Sequence, residues 1–541
     1  MASVPERARP GPWILRLLEA HGVERVFGIP GVHTIPLYDG LAHSAIEHVT
    51  PRHEQGAGFM ADAYARVSGK PGVCFVITGP GLTNIATAMG QAHADSIPML
   101  VISSVCARRH LGRGLGQLHE LPDQQALASG VSAFSHTLQA LADLPDLLQR
   151  AFAVFNGARP RPVHIEIPLD LWADAPPQDG PPAPAPVART VPAEDHLAAA
   201  ARVLDGSLRP LILAGGGARH ASAALGAVAE QLDAPVVTTV NGRGLLAPEH
   251  PLNVPASPSL PAIRALLADS DAVLAVGTEM GPTDYDMYEA GMPAYPGPLV
   301  RLDIDPGNMT RPRVADIPLV GDAAGGLDAL RARLAGHQPG RDGGGRAQHA
   351  RDAARAALSV PMLRALDFLE TVRDTLPDAV LVGDSTHPVY AGNLYFAASR
   401  PGSWFNSATG YGTLGYALPA SLGASLAAPA RPVVCIAGDG GLHYTLGELG
   451  SIRDAGRPIV VIAWDNASYG EIRHAMEAEG VAPVGVDLYA PDFESLARAY
   501  GCAYEAPADL AALPDLLTAA VARPVPTLIR ADETRMLGAA G

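Results

Sequence analysis

Short runs of consecutive apolar residues recur along the whole chain, with stretches of helical spacing between them. Val73-Cys74-Phe75-Val76-Ile77 and Met99-Leu100-Val101-Ile102 read as strands flanking a helix rich in Gly, Asn and Ala. Residues 211–214, 236–239 and 272–276 repeat the alternation, as do 379–382, 433–437 and 459–463. Strands without a polar face, separated by helices, are the pattern of parallel sheets covered on both sides. Two stretches interrupt it. Residues 172–195 contain Pro176-Pro177 and Pro181-Pro182-Ala183-Pro184-Ala185-Pro186, which exclude a helix or central strand and predict an extended connector. Residues 337–357 contain Pro339-Gly340 and Gly343-Gly344-Gly345 among charges and read as a second linker. The expected fold is α/β, with three doubly wound parallel-sheet domains at 1–171, 196–336 and 358–541.

Composition narrows the class. A chain of 541 residues is too long for a single core, and 48% hydrophobic against 17% charged residues describes a packed protein. A net charge of −16 argues against nucleic acid or an anionic membrane as partner. Cys74, Cys106, Cys435 and Cys502 show neither metal spacing nor a disulfide framework, which suits a reducing compartment. The first residues are polar and carry Pro5, Pro10 and Pro12, unlike a signal peptide, and no apolar run is long enough to cross a bilayer. A cytoplasmic enzyme or binding protein is expected.

The chemistry concentrates at strand ends. Gly438-Asp439-Gly440 closes one apolar strand, and Asp465-Asn466 closes the next after 24 intervening residues. Asp439 and Asn466 would then lie at the carboxyl ends of two parallel strands, where open α/β sheets bind ligands. A carboxylate and an amide oxygen suit Mg²⁺, while Gly440 and Gly441 let backbone N–H groups approach a phosphate. Read alone, the same residues also fit an ordinary turn between strand and helix. Gly383-Asp384-Ser385-Thr386-His387 likewise follows a strand and opens a helix, with amides and hydroxyls free for diphosphate. Glu54, in His53-Glu54-Gln55-Gly56-Ala57, fits a capping carboxylate at a helix start, and Leu414, among Gly412, Thr413 and Gly415, fits plain core packing.

Together these blocks resemble the thiamine-diphosphate-dependent superfamily of acetolactate synthase, benzoylformate decarboxylase and pyruvate decarboxylase. The run 51–66, PRHEQGAGFMADAYAR, is similar to that superfamily's glutamate block, and 438–466 to its metal signature, with Asp465 in place of the first Asn. The resemblance implies pyrimidine-binding, central Rossmann-like and diphosphate-binding domains. It implies that Glu54 hydrogen-bonds N1′ of the aminopyrimidine and stabilises the tautomer that serves as the coenzyme's own base. Leu414 would hold the coenzyme bent, and the Gly412 carbonyl would accept from its 4′-amino group. Ser385, Thr386, His387, Gly438, Gly440 and Gly441 would line the diphosphate, and Asp439, Asn466 and the Ser468 carbonyl would hold Mg²⁺. A homodimer with shared active sites, or a tetramer, is implied as well. Where acetolactate synthases bind flavin through an arginine-flanked segment, this chain reads Gly277-Thr278-Glu279-Met280-Gly281-Pro282-Thr283-Asp284-Tyr285-Asp286 and has neither arginine. A structural middle domain without FAD is therefore expected.

The substrate follows from the same comparison. The family acts on small-molecule 2-oxo acids, losing CO₂ and either releasing an aldehyde or joining a second carbonyl compound. Val32 and His33 follow Gly31, where acetolactate synthases have small residues, and His119 stands where they carry Gln. His33 and His119 suit the delivery of the proton that completes decarboxylation. Glu471, followed by Ile472 where pyruvate decarboxylases place their glutamate, would favour a cationic tail, with Asp284 or Asp286 assisting. Residues 28–34 and 48–104 look most like 5-guanidino-2-oxopentanoate decarboxylases, which form 4-guanidinobutanal. An acetolactate-synthase-like carboligase and a non-catalytic coenzyme-binding relative are the alternatives.

Overall fold

The apolar runs form three six-stranded sheets, parallel throughout, in a computed structural model that describes residues 9–178, 180, 182–285, 291–335 and 340–538. The first contains β1 (Arg25–Gly28), β2 (Glu47–Val49), β3 (Gly72–Val76), β4 (Met99–Val105), β5 (Phe134–Thr137) and β6 (Val163–Pro168), in the order β2-β1-β3-β4-β6-β5. The second contains β7 (Pro210–Ala214), β8 (Val236–Thr238), β9 (Asn253–Val254), β10 (Ala272–Val276), β11 (Leu299–Asp303) and β12 (Ile317–Val320), in the order β12-β11-β10-β7-β8-β9. The third contains β13 (Val380–Gly383), β14 (Trp404–Asn406), β15 (Val433–Gly438), β16 (Val460–Asp465), β17 (Ala503–Glu505) and β18 (Thr527–Asp532), in the order β14-β13-β15-β16-β18-β17. The first and third sheets thus repeat one winding, while the middle sheet has the dinucleotide-fold order. Every residue of β3, β4, β6, β15 and β16 is buried, because helices cover both faces, and this is why these strands read as unbroken apolar runs.

The first and third domains share a core. Helix Glu54–Ser68 lies against helix Ala417–Ala427 so closely that a Cβ at Gly423 would stand 2.0 Å from the Met60 carbonyl oxygen. Any side chain there would drive the helices apart. Phe59, Met60, Tyr416, Leu418 and Leu422 are buried in one cluster across this contact, and each such side chain contributes about 1.5–3 kcal/mol on leaving water.

The region expected to be a second linker is largely helical. Residues Gly343–Ala356 form a helix despite the three leading glycines, because the Asp342 carboxylate accepts from Gly345 N and Ala347, Ala350 and Ala354 are buried in a core cluster. Burial of a small-residue stripe outweighs the poor helix propensity of glycine. The first connector has neither helix nor strand at residues 182–193, where the Ala185 backbone exchanges bonds with the Gln149 side chain. Among the described residues, no helix is long and apolar enough to cross a membrane.

Candidate active site

In the third sheet the winding reverses between β13 and β15, which opens a crevice at their carboxyl ends. The turn after β13 carries Asp384, Ser385 and Thr386, and His387 begins helix His387–Leu394. Asp439 begins the helix after β15, and Asn466 follows β16, the neighbouring strand. Asp439 is 2% exposed and its Oδ2 has no hydrogen-bond partner; Oδ2 of the buried Asp384 has none either. Burial pushes the Asp439 carboxyl up to about 6, with N–H groups of Gly440 and Ala467 pulling the other way. Burial raises the Asp384 carboxyl as well. The loops also approach closely: a Cβ on Gly441 would lie 3.1 Å from the Asp384 carboxyl carbon, and one on Gly438 3.0 Å from the Thr386 hydroxyl.

Asn466 Oδ1 accepts from Ser468 N at 3.1 Å, across a turn in which Ala467 takes a left-handed φ of 51°. An orphaned buried carboxylate oxygen on one strand end, with an amide oxygen on the end of the neighbouring strand, is donor chemistry that fits Mg²⁺, which takes hard oxygen ligands. Glu533, on the segment after β18, secures the arrangement. Its Oε2 accepts from Trp464 Nε1 at 2.6 Å and Asn466 Nδ2 at 3.3 Å, with His387 Nδ1 at 3.6 Å. Burial alone would raise this carboxyl, but the bonds from His387 and Trp464 hold it below the usual range. Glu533 escaped the sequence reading because it lies 67 residues from Asn466 and in no motif.

The first sheet has the equivalent crevice between β1 and β3. Glu54 opens helix Glu54–Ser68 after β2, is half-buried, and accepts from Asn84 Nδ2 at 2.9 Å. A neutral amide therefore orients this carboxylate, and no cation pairs with it in the described contacts. Asn84 lies 30 residues from Glu54, and no motif in the sequence marked it as this partner. His33 follows β1, and its ring lies edge-on to His119 with centroids 5.3 Å apart. His33 Nδ1 is 3.0 Å from Thr78 Oγ1, past the end of β3. Burial, then the neighbouring His119, lowers the His33 pKa. His119 itself adopts φ 64°, and its carbonyl lies 2.3 Å from where Gly79 would carry a Cβ.

Both crevices lie in domains that match known proteins. The N-terminal thiamine pyrophosphate binding domain of thiamine pyrophosphate enzymes matches residues 10–127, the central domain 197–330 and the C-terminal thiamine pyrophosphate binding domain 384–531. A probable 2-ketoarginine decarboxylase of Pseudomonas aeruginosa is 48% identical over 516 residues, covering 92% of this chain and 89% of that protein. The acetolactate synthase large subunit of Parasynechococcus marenigrum is 31% identical over 559 residues, covering 98% and 88%. The acetolactate synthase of Mycobacterium bovis is 31% identical over 533 residues, covering 90% and 82%. The chain belongs to the thiamine pyrophosphate enzymes. Its cofactor is thiamine diphosphate, an electron sink for the loss of CO₂, and Mg²⁺ is the usual accompanying metal.

Within one chain of this thiamine pyrophosphate enzyme, Glu54 stands apart from the start of the third domain's shared helix. Tyr416 donates to Asp62, about 12 Å along the axis from Glu54 at 1.5 Å per residue. At that far end Thr409 Oγ1 donates to Asp95 Oδ2 at 3.0 Å and Thr413 N to Gln91 Oε1 at 3.3 Å, which fixes the loop carrying Gly412 and Leu414. Arg66 joins Asp62 and Asp95 at 2.6 Å each and donates to Asn241 of the middle domain at 3.0 Å. At the near end, Glu448 of the third domain accepts from Arg52 N at 2.9 Å and His53 N at 3.1 Å, immediately ahead of Glu54. Gly56 is required there, since its Cβ would meet Glu448 Oε1 at 2.3 Å. Each domain thus braces a loop of the other, and no sequence signal marked Glu448 for this task.

A cavity of about 840 Å³ brings Ser385, Gly412, Glu471 and Asp284 onto one space, which extends to Gly217 and Gly277 at the middle-sheet reversal between β7 and β10. Burial raises the Asp284 carboxyl to about 7, aided by Glu279 and opposed by Arg243. Glu54, His33 and His119 do not line this cavity. Val32 and Ile472 are 61% and 54% exposed, and Asp286 lies outside the described residues.

Proposed function

We propose that this thiamine pyrophosphate enzyme decarboxylates 5-guanidino-2-oxopentanoate, consuming one proton and releasing 4-guanidinobutanal and CO₂. The observation that carries the substrate is Glu471, an acidic side chain on the same cavity as Ser385 and Gly412. A carboxylate there pairs with a guanidinium tail while the 2-oxo acid end faces the coenzyme residues. The 48% identical relative, named for 2-ketoarginine, supports the same substrate. Glu54, held by Asn84, serves the aminopyrimidine, and His33 with His119 delivers the proton that the departing CO₂ leaves unmatched.

The active site is assembled from two copies, the Glu54 crevice of one facing the Asp439 crevice of the other. The separation of Glu54 from the Tyr416 end of the third domain's shared helix supports this reading, as do the exposed apolar residues beside each half. Val32, Ile35 and Leu118 are 61%, 59% and 60% exposed on the first domain, and Ile472 and Val484 are 54% and 75% exposed on the third. Val32 and Ile472 thereby become pocket residues only in the dimer.

The test is product identification with thiamine diphosphate and Mg²⁺ present. Guanidinobutanal from the guanidino acid, with little turnover of pyruvate, is the expected result; acetolactate from pyruvate would make the protein a carboligase. Glu471→Ala should weaken the guanidino acid about tenfold relative to a neutral 2-oxo acid of similar length. Equal losses on both would exclude the ion pair.

A further inference from the structure

Beneath the histidine pair runs a buried chain of hydrogen bonds across the ends of β3, β4 and β6. Thr78 is 1% exposed, and its hydroxyl donates to Ser104 Oγ at 3.0 Å, while its backbone N–H reaches the same oxygen at 3.2 Å. A threonine hydroxyl has one proton to give. Having given it to Ser104, Thr78 Oγ1 can only accept from His33 Nδ1, 3.0 Å away. Gln124, 3% exposed, holds this backbone from below. Its Oε1 accepts from Gly79 N at 2.8 Å, and its Nε2 donates to the Ser104 carbonyl and Glu166 Oε2 at 2.9 Å each. Glu166 accepts in turn from Thr137. The residue fixed to Gln124, Gly79, is the one that packs on the His119 backbone.

We propose that Thr78, braced by Gln124, is a positioning residue that fixes His33 as the Nδ1–H tautomer, so that Nε2 is the nitrogen that exchanges protons with substrate. The ring keeps its bond to Thr78 in both charge states, because Nδ1 carries a proton in the neutral form and in the imidazolium. Only Nε2 changes, and the proton it gives up is the one that ends on the aldehyde carbon. The catalytic part of this inference rests on the proton-delivery role proposed for His33; the tautomer itself does not.

The tautomer is read from ¹⁵N imidazole shifts of the histidine-labelled holoenzyme, with the His33 signals assigned by their loss in His33→Gln. Neutral wild-type enzyme should show the Nδ1–H pattern for His33. Thr78→Val, which keeps the shape and removes the acceptor, should lose it and lower kcat about 10- to 100-fold with KM little changed. Thr78→Ser should restore both. An Nε2–H pattern in the wild type overturns the proposal without recourse to any variant. So does a Thr78→Val enzyme with unchanged kcat, or a loss that Thr78→Ser fails to rescue. If wild-type enzyme turned over no 2-oxo acid, the functional reading would fall, while the tautomer measurement would still decide the role of Thr78.

Discussion

The first and third domains wind their six strands in the same order, yet the equivalent strand ends hold different chemistry. Past the third strand of each sheet stands Thr78 in one and Asp439 in the other; past the first stand His33 and Ser385. The third domain gathers acceptors it leaves unsatisfied: Oδ2 of Asp384 and of Asp439 have no partner. Such groups cost stability unless a ligand completes them, which suits a hard cation of the kind that accompanies a diphosphate. The first domain does the reverse at its strand ends. There Thr78, Ser104, Gln124 and Glu166 hydrogen-bond one another, and what the crevice presents is acid–base side chains: Glu54 on a neutral amide, and two imidazoles set edge-on. The winding decides where a ligand can bind, and the residue types decide whether the crevice holds charge or moves protons.

The sharpest way to break this contrast is Asp439→Ala. Metal-dependent binding of thiamine diphosphate, followed by fluorescence titration, should weaken roughly 100-fold or more, beyond what loss of an outer partner costs. Binding that survives would mean that Asp439 is not the anchor of the charged half. Glu54→Gln should separate the halves in the opposite sense. Turnover should fall by about 10² to 10⁴, the range of lost acid–base assistance, while the coenzyme still binds within about tenfold. A variant with full activity would remove proton chemistry from the first domain.

A smaller effect sharpens the first domain alone. The His33 pKa is lowered by burial and then by His119, so the imidazolium forms only below the ordinary 6.5. A rate that needs protonated His33 falls as pH rises through that pKa. Removing the second charge in His119→Gln raises the His33 pKa, so the falling limb of the kcat profile should move to higher pH. A limb that moves lower would contradict the coupling, and one that vanishes would transfer the proton role to His119.

Much of this was written in the sequence, for a local reason. Strands buried on both faces must be apolar throughout, so β3, β4, β15 and β16 could be read from residue type alone. The residues that close such strands are few and polar, so Glu54, Ser385, Asp439 and Asn466 stood out at the ends where parallel sheets bind ligands. The chain also determined its coenzyme class, because those motifs are contiguous. The helix at Gly343–Ala356 escaped, since its glycines signal a loop and only a packed stripe of alanines makes it form. Tertiary structure alone decided which residues brace the site. Glu448 reaches Arg52 and His53 from about 400 positions away, Glu533 reaches Asn466 from 67, and Thr78 meets His33 from 45. A hydrogen bond depends on position in space to within a few tenths of an ångström, and nothing in the spacing of residues along a chain carries that information until the sheets have wound and the helices have packed.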